Sequence, residues 1–304
     1  MTSANSNDFI ILYRQSKKKF YKILSTVQVE DGRIFYVDER IAAGGNAVVH
    51  KCIEKLSGDI FAIKFQLEFR NHRIERFQRE VALLESLSDP HIIKFIGRGT
   101  VPICETNYYK VQNSKDKRKK SEGEPKDIPF VILAKASENL AAYAKYPKKI
   151  PTAIYLQQFI GLANALVKIN KKAIHRDIKP ENILVVGDTW VISDFGLCDL
   201  NECGQDLTQD NERVGPVLWM SPEAFNKSLG CLDVIGETSD VFQLASVFWY
   251  AVCGRHPTGI VRETDWIGPS HLYNVIEKAL LHNCSARFKS SESFRDALTK
   301  AIIR

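Results

Sequence analysis

Residues 175–184 read His-Arg-Asp-Ile-Lys-Pro-Glu-Asn-Ile-Leu, and the triplet Asp-Phe-Gly at 194–196 begins twelve residues after Asn182. Together the two segments supply two carboxylates, a lysine and a carboxamide, a set that phosphoryl transfer requires. Asp177 can orient an attacking hydroxyl and accept its proton, and Lys179 can neutralise charge on the transferring phosphoryl group. The stretch therefore predicts a site for phosphoryl transfer.

Two side chains of these segments suit a metal ion, because Asn182 and Asp194 offer the hard oxygen ligands that Mg²⁺ prefers. Residues 175–184 resemble the catalytic loop of the eukaryotic-type (Hanks-type) protein kinase family, serine/threonine subtype, and match its pattern at every position. The resemblance extends from about Ile34 to the helix near Leu298. It implies ATP and Mg²⁺ as cofactors and a protein as the substrate.

A lysine and a glutamate earlier in the chain resemble a family pair. Residues 61–64, Phe-Ala-Ile-Lys, resemble the strand whose lysine, here Lys64, holds the α- and β-phosphates of ATP. The family pairs that lysine with a glutamate of the next helix, and Glu80 fits the position. Glu80 lies between Phe77 and Leu84 on the inward stripe of the predicted helix, where a charge needs a partner. We therefore predict a Lys64–Glu80 ion pair.

Further positions resemble family motifs with structural roles. Residues 221–223, Ser-Pro-Glu, resemble the A-P-E motif, and Arg287 stands where the family has an arginine paired with the glutamate of that motif. Asp240 opens an apolar helix and resembles the buried aspartate that braces the backbone of the catalytic loop. These resemblances predict a Glu223–Arg287 pair and a carboxylate against the loop backbone.

The glycine-rich loop departs from the family pattern G-x-G-x-x-G-x-V. Residues 42–49 read Ala-Ala-Gly-Gly-Asn-Ala-Val-Val, in which Gly44 alone matches one of the glycines of the pattern. A Cβ at Ala42 or Ala47 restricts positive φ and the close approach of the backbone to phosphates. We therefore expect weakened phosphate clamping without loss of nucleotide binding.

The resemblance also implies where the adenine ring binds. A hinge near residues 133–136 offers the backbone of Ala134 and Ala136 to the ring, with Leu133 as the gatekeeper. The nucleotide-binding residues that the resemblance implies are Ile41, Ala42, Gly44, Val49, Ala62, Lys64, Glu80, Ala134, Ala136 and Leu184. The implied catalytic residues are Asp177, Lys179 and Asn182, and the implied metal ligands are Asn182 and Asp194.

Two segments point to different acceptor hydroxyls. Residues 216–220, Pro-Val-Leu-Trp-Met, are closer to the tyrosine-kinase pattern, whereas Lys179, two residues after Asp177, is a mark of serine/threonine kinases. Because Lys179 acts on the transferring phosphate itself, we predict a serine/threonine kinase. Two other hypotheses stay open. The altered glycine-rich loop favours a pseudokinase that serves as a nucleotide-binding scaffold, and the shared Asp/Asn pair allows a small-molecule kinase, although such enzymes generally lack a Ser-Pro-Glu segment.

Control of the site is predicted in the activation loop. Arg176 stands where family members use an arginine to grip a phosphate of that loop, and Thr208 is the only hydroxyl side chain between residues 196 and 221. A phosphothreonine adds about −2 charge and three strong acceptors, so Thr208 is the candidate switch that Arg176 would bind. Asp206 or Asp210 offers a competing account, since either carboxylate can pair with Arg176 constitutively.

Hydrophobic periodicity divides the chain at about residue 138 into a strand-rich part and a helix-rich part. The predicted elements are strands at 21–24, 27–29, 33–37, 48–52, 60–65, 108–111 and 130–133, a hairpin turn at 31–32, and helices at 73–87, 152–170 and 240–253. This segregation predicts the α+β class. It suits a protein-kinase-like two-lobed fold, with a strand-rich N-lobe that contains one helix and a mainly helical C-lobe.

The same patterns predict the organisation of the chain. We expect an N-terminal extension with an extra hairpin strand at 1–33 and a kinase domain at 34–304, with its N-lobe at 34–134 and its C-lobe at 135–304. A solvated insertion at 113–127 is rich in lysine but has no interleaved aromatic residue, which argues against nucleic acid as a partner.

Composition bounds the class of protein. The chain has 304 residues, of which 44% are hydrophobic and 26% charged, and these values exclude disordered, collagenous and disulfide-scaffold proteins. The seven cysteines are scattered without a C-x-x-C pair, which favours reduced thiols over a zinc site. The longest apolar stretch, 247–253, is too short to span a bilayer. We therefore expect a cytoplasmic protein with no membrane partner, and the oligomeric state stays open.

Overall fold

The computed structural model describes residues 9–14, 17–44, 46–108, 126–145, 150–200 and 218–303. The chain forms two compact units, one of Met1–Val81 and Phe95–Lys135 and the other of Ala82–Lys94 and Ala136–Arg304. The first unit is rich in strands and the second is mainly helical, which confirms the predicted α+β class. The domain limits at residues 33 and 134 stay predictions.

Antiparallel strands dominate the first unit. The strands are β1 (Phe9–Arg14), β2 (Lys19–Leu24), β3 (Thr26–Gln28), β4 (Ile34–Ala43), β5 (Ala47–Glu54), β6 (Ile60–Gln66), β7 (Phe95–Tyr108) and β8 (Asp127–Ala134). Their order in the sheet is β1-β2-β7-β8-β6-β5-β4-β3. Val48 lies opposite Phe65, and both are buried on one face of the sheet with Cys52 and Ile63. Because side chains alternate along a strand, the intervening Val49 and Lys64 lie on the other face.

The predicted hairpin at 31–32 is confirmed. β3 and β4 pair with Val27 opposite Phe35, and Gly32 has a φ of +91°, a backbone region that favours glycine. Asp31 Oδ1 accepts a hydrogen bond from the Arg33 N–H at 3.0 Å. Asp31 thus accepts a backbone hydrogen bond within the turn, and Gly32 adopts the positive φ that the turn needs.

The predicted hairpin between strands 108–111 and 130–133 was wrong in position. β7 begins at Phe95, and its first half, as far as Pro102, pairs with β8, while its second half pairs with β2. Gly97 and Gly99 hid this strand in the sequence, although each has a packing reason. A Cβ at Gly99 would lie 2.8 Å from the Gln28 carbonyl oxygen.

The predicted insertion at 113–127 also needs a correction. Asp127 is the first residue of β8, where it pairs with β7, so it belongs to the sheet. Residues 109–125 lie outside the described residues.

β1 and β2 extend the sheet beyond β7. β1 was not predicted, because Phe9 and Ile11 leave apolar side chains on its exposed face and remove the alternation of polarity that marks a strand. Leu12 on its inner face is fully buried in the core of the unit. Arg14, the last residue of β1, forms a buried ion pair with Glu68, which follows β6. The hairpin is therefore bonded to the segment that connects β6 to the next helix.

Helix α1 (Asn71–Ser86) follows β6 and confirms the helix predicted at 73–87. Phe77 and Val81 of α1 pack against Val131 of β8. Glu80 lies between them in sequence and is only 5% exposed. This burial places the predicted partner of Lys64 on the inner side of the helix.

The helices of the second unit pack around aromatic rings. They are α2 (Leu140–Tyr143), α3 (Thr152–Asn170), α4 (Pro222–Ser228), α5 (Glu237–Cys253), α6 (Ser270–Ala279) and α7 (Ser291–Ile302). Phe159 of α3 stacks on Phe248 of α5 with ring centroids 3.8 Å apart, and Phe248 stacks on Phe294 of α7. The helices predicted at 152–170 and 240–253 are confirmed, the second beginning three residues earlier. Of the helices described, none has the length and apolarity to cross a membrane.

Short strands carry the loops of the second unit. They are β9 (Glu138–Asn139), β10 (Ala173–Ile174), β11 (Ile183–Val186), β12 (Thr189–Ile192) and β13 (Asp199–Leu200). β11 pairs with β12 and β9, and β10 pairs with β13. The loop after β10 and the loop between β12 and β13 contain the two segments that the sequence singled out.

Candidate active site

Helix α5 braces the loop that follows β10. Asp240 accepts hydrogen bonds from the backbone N–H groups of His175 at 2.8 Å and Arg176 at 2.9 Å. Gln243, one turn further along α5, donates to the Arg176 carbonyl oxygen and accepts from the Ile178 N–H, both at 3.1 Å. The brace predicted at Asp240 is therefore confirmed, and Gln243 adds a second one.

The brace holds a strained backbone. Arg176 has a φ of +67°, a left-handed conformation that costs a non-glycine residue roughly 1–2 kcal/mol. Complete burial raises the pKa of Asp240 to about 6, although the N–H groups of Arg176, His175 and Asn170 that donate to it act in the opposite direction. The three donors are what allow a carboxylate at this depth to remain an acceptor.

Asp177 is the centre of a polar cluster. Each of its carboxylate oxygens accepts from Lys179 Nζ at 3.0 Å. Asn182 Nδ2 donates to Asp177 Oδ2 at 2.8 Å and to the Asp177 carbonyl oxygen at 2.9 Å. The structure thus brings together the three residues that the sequence predicts to be catalytic.

The environment of Asp177 tunes its basicity. Burial has the largest effect and raises its pKa to about 6, while Lys179 and Asn182 lower the pKa and the charge of Asp194 raises it further. A carboxylate with this pKa is ionised at neutral pH, and it is more basic than an exposed aspartate. These are the properties that a general base acting near neutral pH needs.

Asn182 is oriented so that one atom is left for a cation. Its Nδ2 is used by Asp177, and its backbone oxygen accepts from Ser193 N–H at 2.9 Å and from Ser193 Oγ at 2.8 Å. A carboxamide has one donor end and one acceptor end, so Oδ1 is the end that faces away from the Asp177 carboxylate. Asn182 is therefore held in an orientation that leaves Oδ1 available to bind a metal cation.

Asp194 provides an exposed carboxylate on the loop that follows β12, twelve residues after Asn182. Its φ is +60°, and the next residue, Phe195, is buried with its ring 4.9 Å from the ring of His175. The anchored phenylalanine fixes the backbone that carries the exposed Asp194 side chain. A carboxylate and an amide oxygen form a donor set that fits Mg²⁺, so the predicted metal ligands are chemically suited to it.

The first unit contains the predicted ion pair. Lys64 Nζ of β6 lies 2.7 Å from Glu80 Oε1 of α1, with the two side chains 19% and 5% exposed. Val49 lies opposite Lys64 in the β5–β6 ladder, and Ala62 lies two residues before Lys64. Since opposite residues and alternate residues share a face of a sheet, Val49, Ala62 and Lys64 form one surface.

The glycine-rich loop lies between β4 and β5. Ala42 pairs with Val49, and the Gly44 N–H donates to the Ala47 carbonyl oxygen at 2.9 Å. Neither Ala42 nor Ala47 has a positive φ, so the objection to alanine from backbone conformation was wrong at these two positions. Ile41 is exposed beside an irregularity in the β4 register. The expected weaker clamping of phosphates stays a prediction.

The remaining predicted residues lie at strand ends or outside the description. Ala134 is the last residue of β8, Ala136 follows two residues later, and Leu184 is half-buried on β11 opposite Val191. Their roles toward adenine stay predictions. Thr208 lies outside the described residues, so its role as a switch also stays a prediction.

Sequence reasoning missed two residues of the site. Gln243 is a polar residue three positions after Asp240 in a mostly apolar helix, and that spacing on one helix face was the available signal. Asp199 forms an ion pair with Arg176, whose side chain is 4% exposed. The sequence named Asp206 and Asp210 as alternative partners of Arg176, both of which lie outside the described residues, and only the β10–β13 pairing singles out Asp199.

Most of this chain is similar in sequence to known proteins. Residues 35–300 match the family model for the protein kinase domain. Over 233 residues the chain is 24% identical to the probable serine/threonine-protein kinase PknB of Bifidobacterium longum, an alignment that covers 74% of this chain and 31% of that protein. Over 285 residues it is 25% identical to the dual specificity protein kinase TTK of Mus musculus, covering 90% and 30%. The chain thus spans less than a third of the length of these relatives.

Proposed function

Because the chain belongs to the protein kinase domain family, we propose that it transfers the γ-phosphoryl group of Mg·ATP to serine and threonine hydroxyls of protein substrates. The observation that carries the proposal is the carboxylate of Asp177, which is buried and held by Lys179 and Asn182 at 2.8–3.0 Å. Such a cluster orients an acceptor hydroxyl and places positive charge beside it.

Each residue of the cluster has a distinct task. Asp177 accepts a hydrogen bond from the acceptor hydroxyl and takes its proton as the phosphoryl group is transferred. Lys179 keeps a positive charge within 3.0 Å of that carboxylate and so stabilises negative charge on the transferring group. Asn182 prevents Asp177 from rotating away from the hydroxyl.

Polar side chains of the proposed site would hold the metal ion and the phosphates of ATP. Asn182 Oδ1 and Asp194 would bind Mg²⁺, which when bound neutralises charge on the phosphates. Lys64 would bind the α- and β-phosphates, and Glu80 at 2.7 Å keeps its ammonium group in one position. Ile41, Ala42, Gly44, Val49, Ala62, Ala134, Ala136 and Leu184 are the residues proposed to contact the rest of the nucleotide.

The proposed acceptor class rests on Lys179. Of the relatives described above, one is named a dual specificity kinase and the other a probable serine/threonine kinase. Phosphoamino-acid analysis of a labelled substrate tests the class. Label on serine and threonine supports it, and label on tyrosine alone overturns it.

A transfer assay tests the function itself. Purified protein with Mg²⁺ and γ-labelled ATP should label casein or itself, Asp177→Ala and Asp194→Ala should abolish labelling, and Asp188→Ala should retain it. Asp188 is an exposed carboxylate of the same unit and serves as the matched control. If wild type labels no better than Asp177→Ala while Mg·ATP still raises its Tm, the pseudokinase hypothesis replaces this one.

The proposed setting is the cytoplasm. Six of the seven cysteines lie among the described residues and are free thiols, and Cys52 is buried in the core of the first unit with its thiol pKa raised to about 12 by that burial. Burial makes Cys52 inert, and free thiols persist in a reducing compartment, which supports the proposed setting.

A further inference from the structure

The guanidinium group beside the catalytic aspartate already has an anionic partner within the fold. Arg176 directly precedes Asp177 and is 5% exposed, and its Nη2 donates to Asp199 Oδ2. A guanidinium remains charged at all accessible pH values, so its burial is stabilised only by an anion or by several acceptors. Asp199 supplies that anion from a residue of the chain itself.

The position of Asp199 is fixed by a strand pair. Asp199 begins β13 and lies opposite Ile174, the last residue of β10, while Leu200 lies opposite Ala173. The preceding residue, Cys198, donates from its thiol to the His175 carbonyl oxygen at 3.7 Å. The carboxylate is therefore held at the entrance of the catalytic loop by backbone pairing and not by a flexible side-chain contact alone.

The contact bears on the strained backbone of the loop. Arg176 has a φ of +67°, so this residue keeps its conformation only while its surroundings enforce it. Asp240 and Gln243 hold the backbone of Arg176, and Asp199 holds its side chain. Releasing the side chain removes one of these restraints from the residue next to Asp177.

A phosphate that approaches Arg176 would also approach the negatively charged carboxylate of Asp199. A phosphorylated side chain brings about −2 charge and is repelled by a carboxylate beside it. The side chain of Asp199 is 29% exposed, so its contact with Arg176 is shielded but reachable from solvent. An arriving phosphate would therefore compete with an existing ion pair and would gain less than it gains at an uncompensated arginine.

We propose that Asp199 is a positioning residue whose carboxylate does the work of an activation-loop phosphate, so that Arg176 and the catalytic loop are held ready for transfer without phosphorylation. The proposal rests on the proposed kinase function. It also makes phosphorylation of Thr208 dispensable for activity, in contrast to the hypothesis drawn from the sequence.

The first test is kinetic and compares two substitutions that remove the same charge. Asp199→Asn should lower kcat by about 10- to 100-fold, since a displacement of about 1 Å at a catalytic group costs on the order of 100-fold. KM for ATP should stay within about twofold, because Asp199 acts through Arg176 and not on the nucleotide. Asp188→Asn should leave kcat unchanged, and Asp199→Glu should recover most of it. Equal kcat for the Asp199→Asn and Asp188→Asn variants would overturn the proposal.

The second test removes phosphate. Wild type treated with phosphatase and shown by intact mass to be unmodified should keep its full initial rate, and so should Thr208→Ala. A loss of about tenfold or more in either case would assign the role to phosphothreonine and overturn the proposal for Asp199.

Hydrogen exchange separates this proposal from the kinase function. Amide exchange in residues 175–182 should be about tenfold faster in Asp199→Asn than in Asp188→Asn, because the loop loses a restraint. This measurement needs no turnover. If wild type transfers no more phosphate than Asp177→Ala, the kinase function fails, and the exchange rates alone then support or overturn the restraint by Asp199.

Discussion

Replacing Arg287 by alanine should destabilise the helical unit strongly. Arg287 is 2% exposed, and it donates to Glu223 at 2.8 Å with two nitrogens. It also donates to the carbonyl oxygens of Leu281, Thr238 and His282 at 2.6–3.1 Å. An arginine has five N–H donors, so these five bonds use its full capacity.

The magnitude follows from what the substitution leaves behind. Burial by itself raises the pKa of Glu223, but hydrogen bonds from Arg287 and Ser239 outweigh it, and the net pKa lies below the usual value. Arg287→Ala strands this carboxylate in the interior, which costs about 3–5 kcal/mol of unfolding free energy. In a unit of this size that loss lowers the Tm by roughly 6–20 °C.

Urea and thermal unfolding of wild type and variants measure the effect. Arg295→Ala is the matched control, since Arg295 lies on α7 of the same unit and pairs with Asp296, whose side chain is 68% exposed. Such an exposed pair contributes only about 0–1 kcal/mol. If Arg287→Ala costs no more than Arg295→Ala, the reasoning from burial is refuted. If Arg287→Ala does not fold, Arg287→Met combined with Glu223→Gln should, because it leaves no unpaired charge.

The pH dependence gives a second check on the same pair. A carboxyl group whose folded pKa is lowered contributes stability that is present above its unfolded pKa and is lost as pH falls through the folded pKa. The stability advantage of wild type over Glu223→Gln should therefore be complete at neutral pH and should shrink below about pH 4. An advantage that is independent of pH would contradict an ionised Glu223.

Three further predictions concern activity. Transfer requires ionised Asp177, whose pKa is about 6, so kcat/KM should fall about tenfold per unit below that pH, and a flat profile of initial rates from about pH 5 to about 8 would contradict this. Glu80→Gln removes the charge 2.7 Å from Lys64 and should lower kcat/KM for ATP at least about tenfold, since hydrogen bonds to charged groups contribute roughly 1.5–3 kcal/mol. Ala42→Gly with Ala47→Gly should raise kcat/KM for ATP by a modest factor, equivalent to about 1 kcal/mol or less, because removing two Cβ atoms allows closer approach to the phosphates while ordering glycine costs about 0.5–1 kcal/mol. An unchanged or lower value would mean that the backbone there already tolerates alanine and would contradict weakened clamping.

Two ion pairs of this protein were predicted because four residues stand at positions that resemble paired motifs of the kinase family. The family pairs the lysine of its strand with a glutamate of the next helix, which led from Lys64 to Glu80, and the need of a charge on an apolar stripe for a partner supported that choice. The resemblance to the A-P-E motif led from Glu223 to Arg287. Both pairs are present at 2.7–2.8 Å. The segment 175–184 was equally informative, because the spacing of its polar residues places them on one short loop.

Two features of the structure could not be predicted from the sequence, the position of β7 and the partner of Arg176, because they depend on strand register and on contacts across a sheet. β7 contains Gly97 and Gly99, which weaken its strand pattern, and the nearby Val29, Gln28 and Phe130 explain why glycine is required. The partner of Arg176 depends on the two-residue pairing of β10 with β13, which is too short to leave a periodic signal. Pairings of this kind are decided by tertiary packing, which no local pattern encodes.

The polar cluster around the catalytic loop is better understood as a requirement of chemistry than of stability. Asp177 and Asp240 are buried carboxyl groups whose pKa values are both raised to about 6. A carboxyl group with a raised folded pKa favours the folded state while it is protonated, and that contribution is lost as pH rises from about 4 to about 6. At neutral pH both groups therefore stabilise the fold less than they would at pH 5. The stacked rings of Phe159 and Phe248 join α3 to α5 and stabilise the same unit. The helix that carries Asp240 is thus anchored in the core so that it can hold a strained, desolvated loop in place.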